Sequence, residues 1–163
     1  MQFDYAGKQT EYYKSEWIED FNKALECYVQ QYDNTTIPIF DIPLNGTLTL
    51  NENLADNEGM KILYKAFKMH QDKHGAEART PFFEDLTNEQ LFFIGFAKNY
   101  CSKTSDISLY YYATADLSMY SANVHAQQIY RVNNVVRNRP EFAHAFFCPP
   151  GSNMNPSERC SVW

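Results

Sequence analysis

Apolar residues recur in steps of three and four between Tyr13 and Tyr32, at Tyr13, Trp17, Phe21, Leu25, Tyr28 and Tyr32. That spacing lines one face of an amphipathic helix, and Asp33-Asn34 ends it. From Thr35 to Asn51, β-branched residues are interrupted by Pro38, Pro43 and Gly46, which reads as loop with a short extended piece. A second helix is expected from about Asn51 to His74, with Leu54, Met60, Leu63, Phe67 and Met69 on its buried side and Gly75 as its stop. Next, Thr87-Asn88-Glu89-Gln90 has the spacing of a capping box. The run that follows it, Leu91 to Ala97, is apolar almost all round and is expected to be the most buried element.

Between Ser102 and Asn123 no period is evident. Leu109-Tyr110-Tyr111-Tyr112 is strongly aromatic and implies packing only. Val124 to Arg137 reads as a loop entering a helix. Pro140 suits the first position of a further short helix carrying Phe142, Phe146 and Phe147, and the tail from Pro149 to Trp163 is rich in turn formers. With no internal repeat, these elements describe one mostly α domain over residues 1–163.

Composition narrows the function classes. A chain of 163 residues with 12 Tyr, 12 Phe and 2 Trp is long enough and aromatic enough to enclose a core. Its formal charge of −6 comes without the basic stripe that nucleic-acid binding needs. It has no apolar run of membrane-spanning length, and Met1 to Lys8 contains no signal-peptide stretch. Other features point outward. The four cysteines (Cys27, Cys101, Cys148 and Cys160) are compatible with disulfides in an oxidising compartment, and equally with buried thiols in a cytosolic one. Two N-glycosylation sequons begin at Asn34 and Asn45.

The chemistry concentrates in Glu52-Asn53-Leu54-Ala55-Asp56. Four residues apart on a helix, the two carboxylates share a face. Such a pair is ordinarily a solvated edge. A carboxylate turned inward would instead need a cation or hydrogen-bond donors. The segment resembles the Glu-Asn-x-Ala-Asp motif of the neprilysin and endothelin-converting-enzyme family of zinc metallopeptidases. Val124-His125 with Arg131 is similar to that family's Val-His…Arg element. Further matches are Gln90-Leu91-Phe92-Phe93, Arg131-Val132-Asn133, Pro140-Glu141-Phe142-Ala143, Met154-Asn155-Pro156 and the closing Cys160-Ser161-Val162-Trp163. The resemblance implies the C-terminal portion of a gluzincin (thermolysin-like) catalytic domain that hydrolyses peptides. Glu52 would be a zinc ligand and Asp56 would orient a zinc-bound imidazole. His125 would stabilise the oxyanion and Arg131 would grip a substrate carbonyl. It also implies a Cys27–Cys160 disulfide, with Cys101 and Cys148 pairing to cysteines near a distant N-terminus, and an extracellular or cell-surface location.

Departures surround the substrate-facing histidine. Asn123 stands where the family has Asp, Ala126-Gln127-Gln128 follows His125, and the stretch between Cys101 and His125 is longer than the family's. No His-Glu-x-x-His occurs, so neither the two zinc histidines nor the general base of a gluzincin site is present. His70 and His74 have the right spacing, but Gln71 stands where the base belongs, and the pair reads as solvated residues at a helix end. Phe3-Asp4-Tyr5-Ala6-Gly7 fits the pattern that follows the second zinc histidine, which sets Met1 at that histidine's slot. The chain therefore reads as a piece that is inactive in isolation. The other reading is a naturally short, non-catalytic relative that binds peptides or a partner.

Overall fold

A computed structural model describes residues 3–10, 15–114 and 124–162. Met1, Tyr13, Asn123 and Trp163 lie outside the described residues. In chain order the elements are α1 (Ser15–Asp33), β1 (Thr36–Ile37), β2 (Ile42–Pro43), α2 (Gly46–His74), α3 (Asn88–Lys98), α4 (Asp106–Thr114), α5 (Gln128–Arg137) and α6 (Pro140–Ala145). The strands form one antiparallel hairpin, with Thr36 opposite Pro43 and Ile37 opposite Ile42. Helix α1 packs on α2, α2 on α5, and α3 on both α5 and α6. No helix among the described residues is long and apolar enough to cross a membrane.

Helix α2 begins at Gly46, a turn earlier than its hydrophobic pattern suggests, because Asn45 caps it by accepting the Leu48 N–H at 2.8 Å. Gly46 is required by close approach. A Cβ there would stand 2.3 Å from the Val29 carbonyl oxygen of α1 and 3.0 Å from Asp33 Oδ1. The Gly46 N–H itself donates to Asp33 Oδ1 at 2.6 Å. Gly46→Ala is expected to lower stability by about 3 kcal/mol through overpacking against backbone. Gly59→Ala, with nothing within 4 Å of its Cβ, should raise it by about 1 kcal/mol through helix propensity. Urea-denaturation midpoints of the two variants check both signs.

The buried side of α2 is polar, which corrects the apolar face expected for it. Thr49, Asn53, Asn57 and Met60 are buried, whereas Leu63 and Met69 are exposed. Asn53 Nδ2 donates to Thr49 Oγ1 at 2.7 Å, and Asn57 Nδ2 donates to the Asn53 carbonyl at 2.8 Å. Asn138, just past α5, donates to Asn57 Oδ1 and to Gln31 Oε1, each at 2.8 Å, and accepts from Gln31 Nε2 at 2.9 Å. These amides are buriable because they find partners inside the fold, Asn53 Oδ1 being the exception.

Two apolar clusters flank this network. One gathers Met60, Phe93, Val135, Val136 and Ala145, with Phe142 and Phe146 packed on it. The other gathers Tyr32, Ile37, Leu44 and Ala126. Leu109 of α4 packs on the second cluster, and Tyr110 meets Phe40 edge to face at 5.4 Å. The aromatic stretch thus covers the hairpin. Helix α3 has both hydrogen bonds of its capping box, but it is not the most buried element: only Phe93 is fully buried and Ile94 is exposed. A helix apolar all round needs cover on both sides, and its described neighbours cover one. On α1 the predicted face is buried only at its C-terminal end, where Tyr28 and Tyr32 are inaccessible while Trp17 and Phe21 are exposed. Phe147 is likewise exposed, because the chain turns there with φ 53° and leaves α6 behind.

The C-terminal tail returns to α1 and α2. Cys160 is bonded to Cys27 across a sequence separation of 133. Beside that bond lies buried Glu58, whose Oε1 accepts from Tyr28 OH and from the Val162 N–H, both at 2.8 Å. Cys101 and Cys148 carry free thiols, the first exposed.

Candidate functional site

Glu52 and Asp56 stand one turn apart on α2, a little over a quarter of the way round from the buried Asn53–Asn57 row. Each meets a basic residue from the last third of the chain. Glu52 Oε2 lies 3.0 Å from His125 Nε2, and both side chains are more than a third exposed. Asp56 is gripped by Arg131 through two parallel bonds, Nε to Oδ2 at 2.6 Å and Nη2 to Oδ1 at 2.8 Å, the fork geometry that guanidinium and carboxylate favour. This pair is far less exposed, with 9% of the Asp56 side chain accessible. Its hydrogen bonds push Arg131 still higher than the ordinary arginine value, against the opposing effect of burial.

Local structure explains the convergence. Ala126 is buried in the second apolar cluster, which pins the loop before α5 and sets His125 beside α2. Arg131 lies one turn before buried Val135, on the side of α5 that faces α2. Tyr100, directly after α3, donates its hydroxyl to Asp56 Oδ1 at 3.3 Å, and its ring lies 5.0 Å from the Arg131 guanidinium carbon. Burial, and then the negative charge of Asp56, push this phenol above the usual tyrosine range. A cleft of about 600 Å³ opens over His125 and Arg131, with Lys103, Thr104, Ser105 and Gln127 among its other walls.

All four residues singled out from the sequence are therefore in one place. Arg131 uses one edge on Asp56 and also lines the cleft. His70 and His74 are elsewhere, at the far end of α2 and roughly 27 Å along the helix from Glu52. Their rings are 4.6 Å apart and exposed, with His70 Nε2 at 3.7 Å from Glu77. Asn34 and Asn45 are both exposed and flank the hairpin. Two residues escaped the sequence reading, Tyr100 and Glu58. The contacts that matter here, Tyr100 to Asp56 and Glu58 to Tyr28 and Val162, span long stretches of chain and leave no local signal.

Zinc sites take three or four protein donors, the fourth position of a catalytic site going to water. No group of three or more His, Cys, Asp or Glu side chains that could hold a metal occurs among the described residues. The described residues do not fit a zinc ion by themselves.

Known structures share this architecture. A Haemonchus galactose-containing glycoprotein complex superposes with a TM-score of 0.84 at 32% identity, covering 99% of this chain and 26% of that one. The zinc metalloprotease Zmp1 of Mycobacterium tuberculosis in its open state superposes with a TM-score of 0.79 at 21% identity, covering 96% of this chain and 24% of that one. The fold is that of the C-terminal portion of a gluzincin metallopeptidase domain. The family model of peptidase family M13 matches residues 1–162, and the chain belongs to that family. It is 43% identical to neprilysin-1 of Caenorhabditis elegans over 99% of its length and 38% identical to human endothelin-converting enzyme 1 over the same share. It spans about a fifth of the length of these curated relatives.

Proposed function

We propose that these 163 residues are the C-terminal part of the catalytic domain of a zinc metalloendopeptidase that cleaves small peptides when complete and is inactive as the isolated chain. The observation that carries this reading is the meeting of Glu52 with His125 and of Asp56 with Arg131, at 3.0 Å and 2.6 Å. In this reading Glu52 is one zinc donor, and two histidines come from outside the 163 residues. Asp56 orients one of those histidines. A carboxylate has about four lone-pair sites; Arg131 and Tyr100 use three, leaving one on Oδ2 for an imidazole N–H. His125 donates to the oxyanion. Arg131, with two of its five N–H groups committed to Asp56, turns the remainder toward a substrate carbonyl. Outside the site, Cys101 and Cys148 pair with cysteines beyond this chain. Asn34 and Asn45 carry glycans, and the parent enzyme works outside the cell or at its surface.

A quenched fluorescent peptide tests this reading. The isolated chain should give no chelator-sensitive turnover, and detecting any would overturn its inactivity. A longer polypeptide that includes a His-Glu-x-x-His segment should cleave the peptide, lose activity to chelator, and lose at least about 100-fold on Glu52→Gln. If that polypeptide binds zinc and peptide without turnover, the non-catalytic relative is the correct reading.

A further inference from the structure

Arg131 has to present the same N–H groups to the cleft each time a ligand arrives, yet it hangs on a long side chain at a partly open site. Its bond to Asp56 fixes one edge of the guanidinium. That bond does not by itself stop the pair from rocking as a unit, since Asp56 also rotates about its own side-chain bonds. Tyr100 supplies what is missing. Its hydroxyl takes a second lone pair on Asp56 Oδ1 at 3.3 Å, and its ring lies 5.0 Å from the guanidinium carbon of Arg131. One phenol therefore touches both members of the pair through different parts of itself.

We propose that Tyr100 is a positioning residue, locking the Asp56–Arg131 pair so that Arg131 offers a fixed set of donors to the cleft. The ring acts as a cation–π partner for the guanidinium, and the hydroxyl holds the carboxylate in the plane that the two-pronged bond requires. The anchorage of Tyr100 is itself good. Its ring packs against Phe96 of α3 at 5.1 Å, and its backbone N–H donates to the Ala97 carbonyl at 3.0 Å. The functional consequence rests on Arg131 gripping a substrate carbonyl. The lock itself does not, so it is tested without turnover.

With arginine side chains labelled with nitrogen-15, exchange of the Arg131 Nε–H proton with water is read in the 163-residue chain. Tyr100→Phe keeps the ring and loses the hydroxyl, and should speed this exchange about fivefold, the factor expected for one net hydrogen bond. Tyr100→Leu loses both contacts and should speed it more than about tenfold. In an Asp56→Ala background, Tyr100→Phe should add almost nothing, because the hydroxyl acts through that carboxylate. A purely structural tyrosine would give the same effect in either background. The proposal is overturned if Tyr100→Phe leaves Arg131 exchange unchanged while the backbone amide spectrum is retained, or if its effect persists undiminished beside Asp56→Ala. Should Tyr100→Leu fail to fold, Tyr100→Phe alone still decides the matter.

Discussion

Replacing Cys27 and Cys160 together by serine is expected to lower the stability of the chain by about 5 kcal/mol, the chain-entropy value for opening so long a loop. The bond closes 133 residues, so without it the unfolded chain regains nearly all of its end-to-end freedom. Small domains are stable by only about 5–15 kcal/mol, so the variant should stand near its unfolding midpoint in water. Guanidinium unfolding followed by circular dichroism, with and without reductant, reads the difference directly. The slope of the transition should also rise, since the open chain exposes more surface on unfolding. A loss under about 1 kcal/mol would mean that the noncovalent contacts of the tail suffice to hold the unfolded ensemble compact.

How much of this was readable beforehand depends on how far apart the partners lie. The capping box at Thr87 and Gln90 and the proline at the start of α6 obey local rules, and both appear where the pattern put them. Helix α2 exists as expected and Met60 is buried on it, but Thr49, Asn53 and Asn57 share that face where Leu63 and Met69 were expected. Hydrophobic periodicity cannot see that Asn57 is satisfied by Asn138, 81 residues later. The aromatic run of α4 lost its period because it is apolar on every side. Its hairpin-facing residues, Leu109 and Tyr110, sit between exposed Ile107 and Tyr111, and Tyr110 itself stays partly open to solvent. At the site, Glu52, Asp56, His125 and Arg131 were found through family resemblance. The spacing of Glu52 and Asp56 gave only a shared face, and nothing local said what that face would meet. Tyr100 had no such guide, since its contact with Asp56 spans 44 residues.

Glu58→Ala is expected to cost about 3 kcal/mol, because it strands a partly buried donor and strips a buried one of its better acceptor rather than merely removing a contact. Val162 N–H would lose its acceptor, and Tyr28 OH would keep only the Cys160 carbonyl at 3.2 Å. Glu58→Gln retains an acceptor oxygen and should cost about 1 kcal/mol. The same carboxylate leaves a signature at high pH. Burial first, and then the hydrogen bond and charge of Glu58, hold the Tyr28 phenol well above its ordinary value of 10. The fold therefore favours the protonated phenol, and this stability is fully present below pH 10. It is lost as pH rises beyond that value, because the unfolded chain releases a proton that the folded chain retains. Buried Tyr32 shares this behaviour, so the comparison must be made between variants. The fall in unfolding free energy above pH 10 should level off at a lower pH in Glu58→Ala than in the unaltered chain, and an unchanged levelling pH would remove Glu58 as a cause. Cys27 is the immediate neighbour of Tyr28, and Cys160 supplies the second acceptor of its hydroxyl. Glu58 and the disulfide thus hold the same few residues of tail. Their substitutions should therefore be coupled: once the tail is freed by cysteine replacement, Glu58→Ala should cost measurably less than it does in the bonded chain.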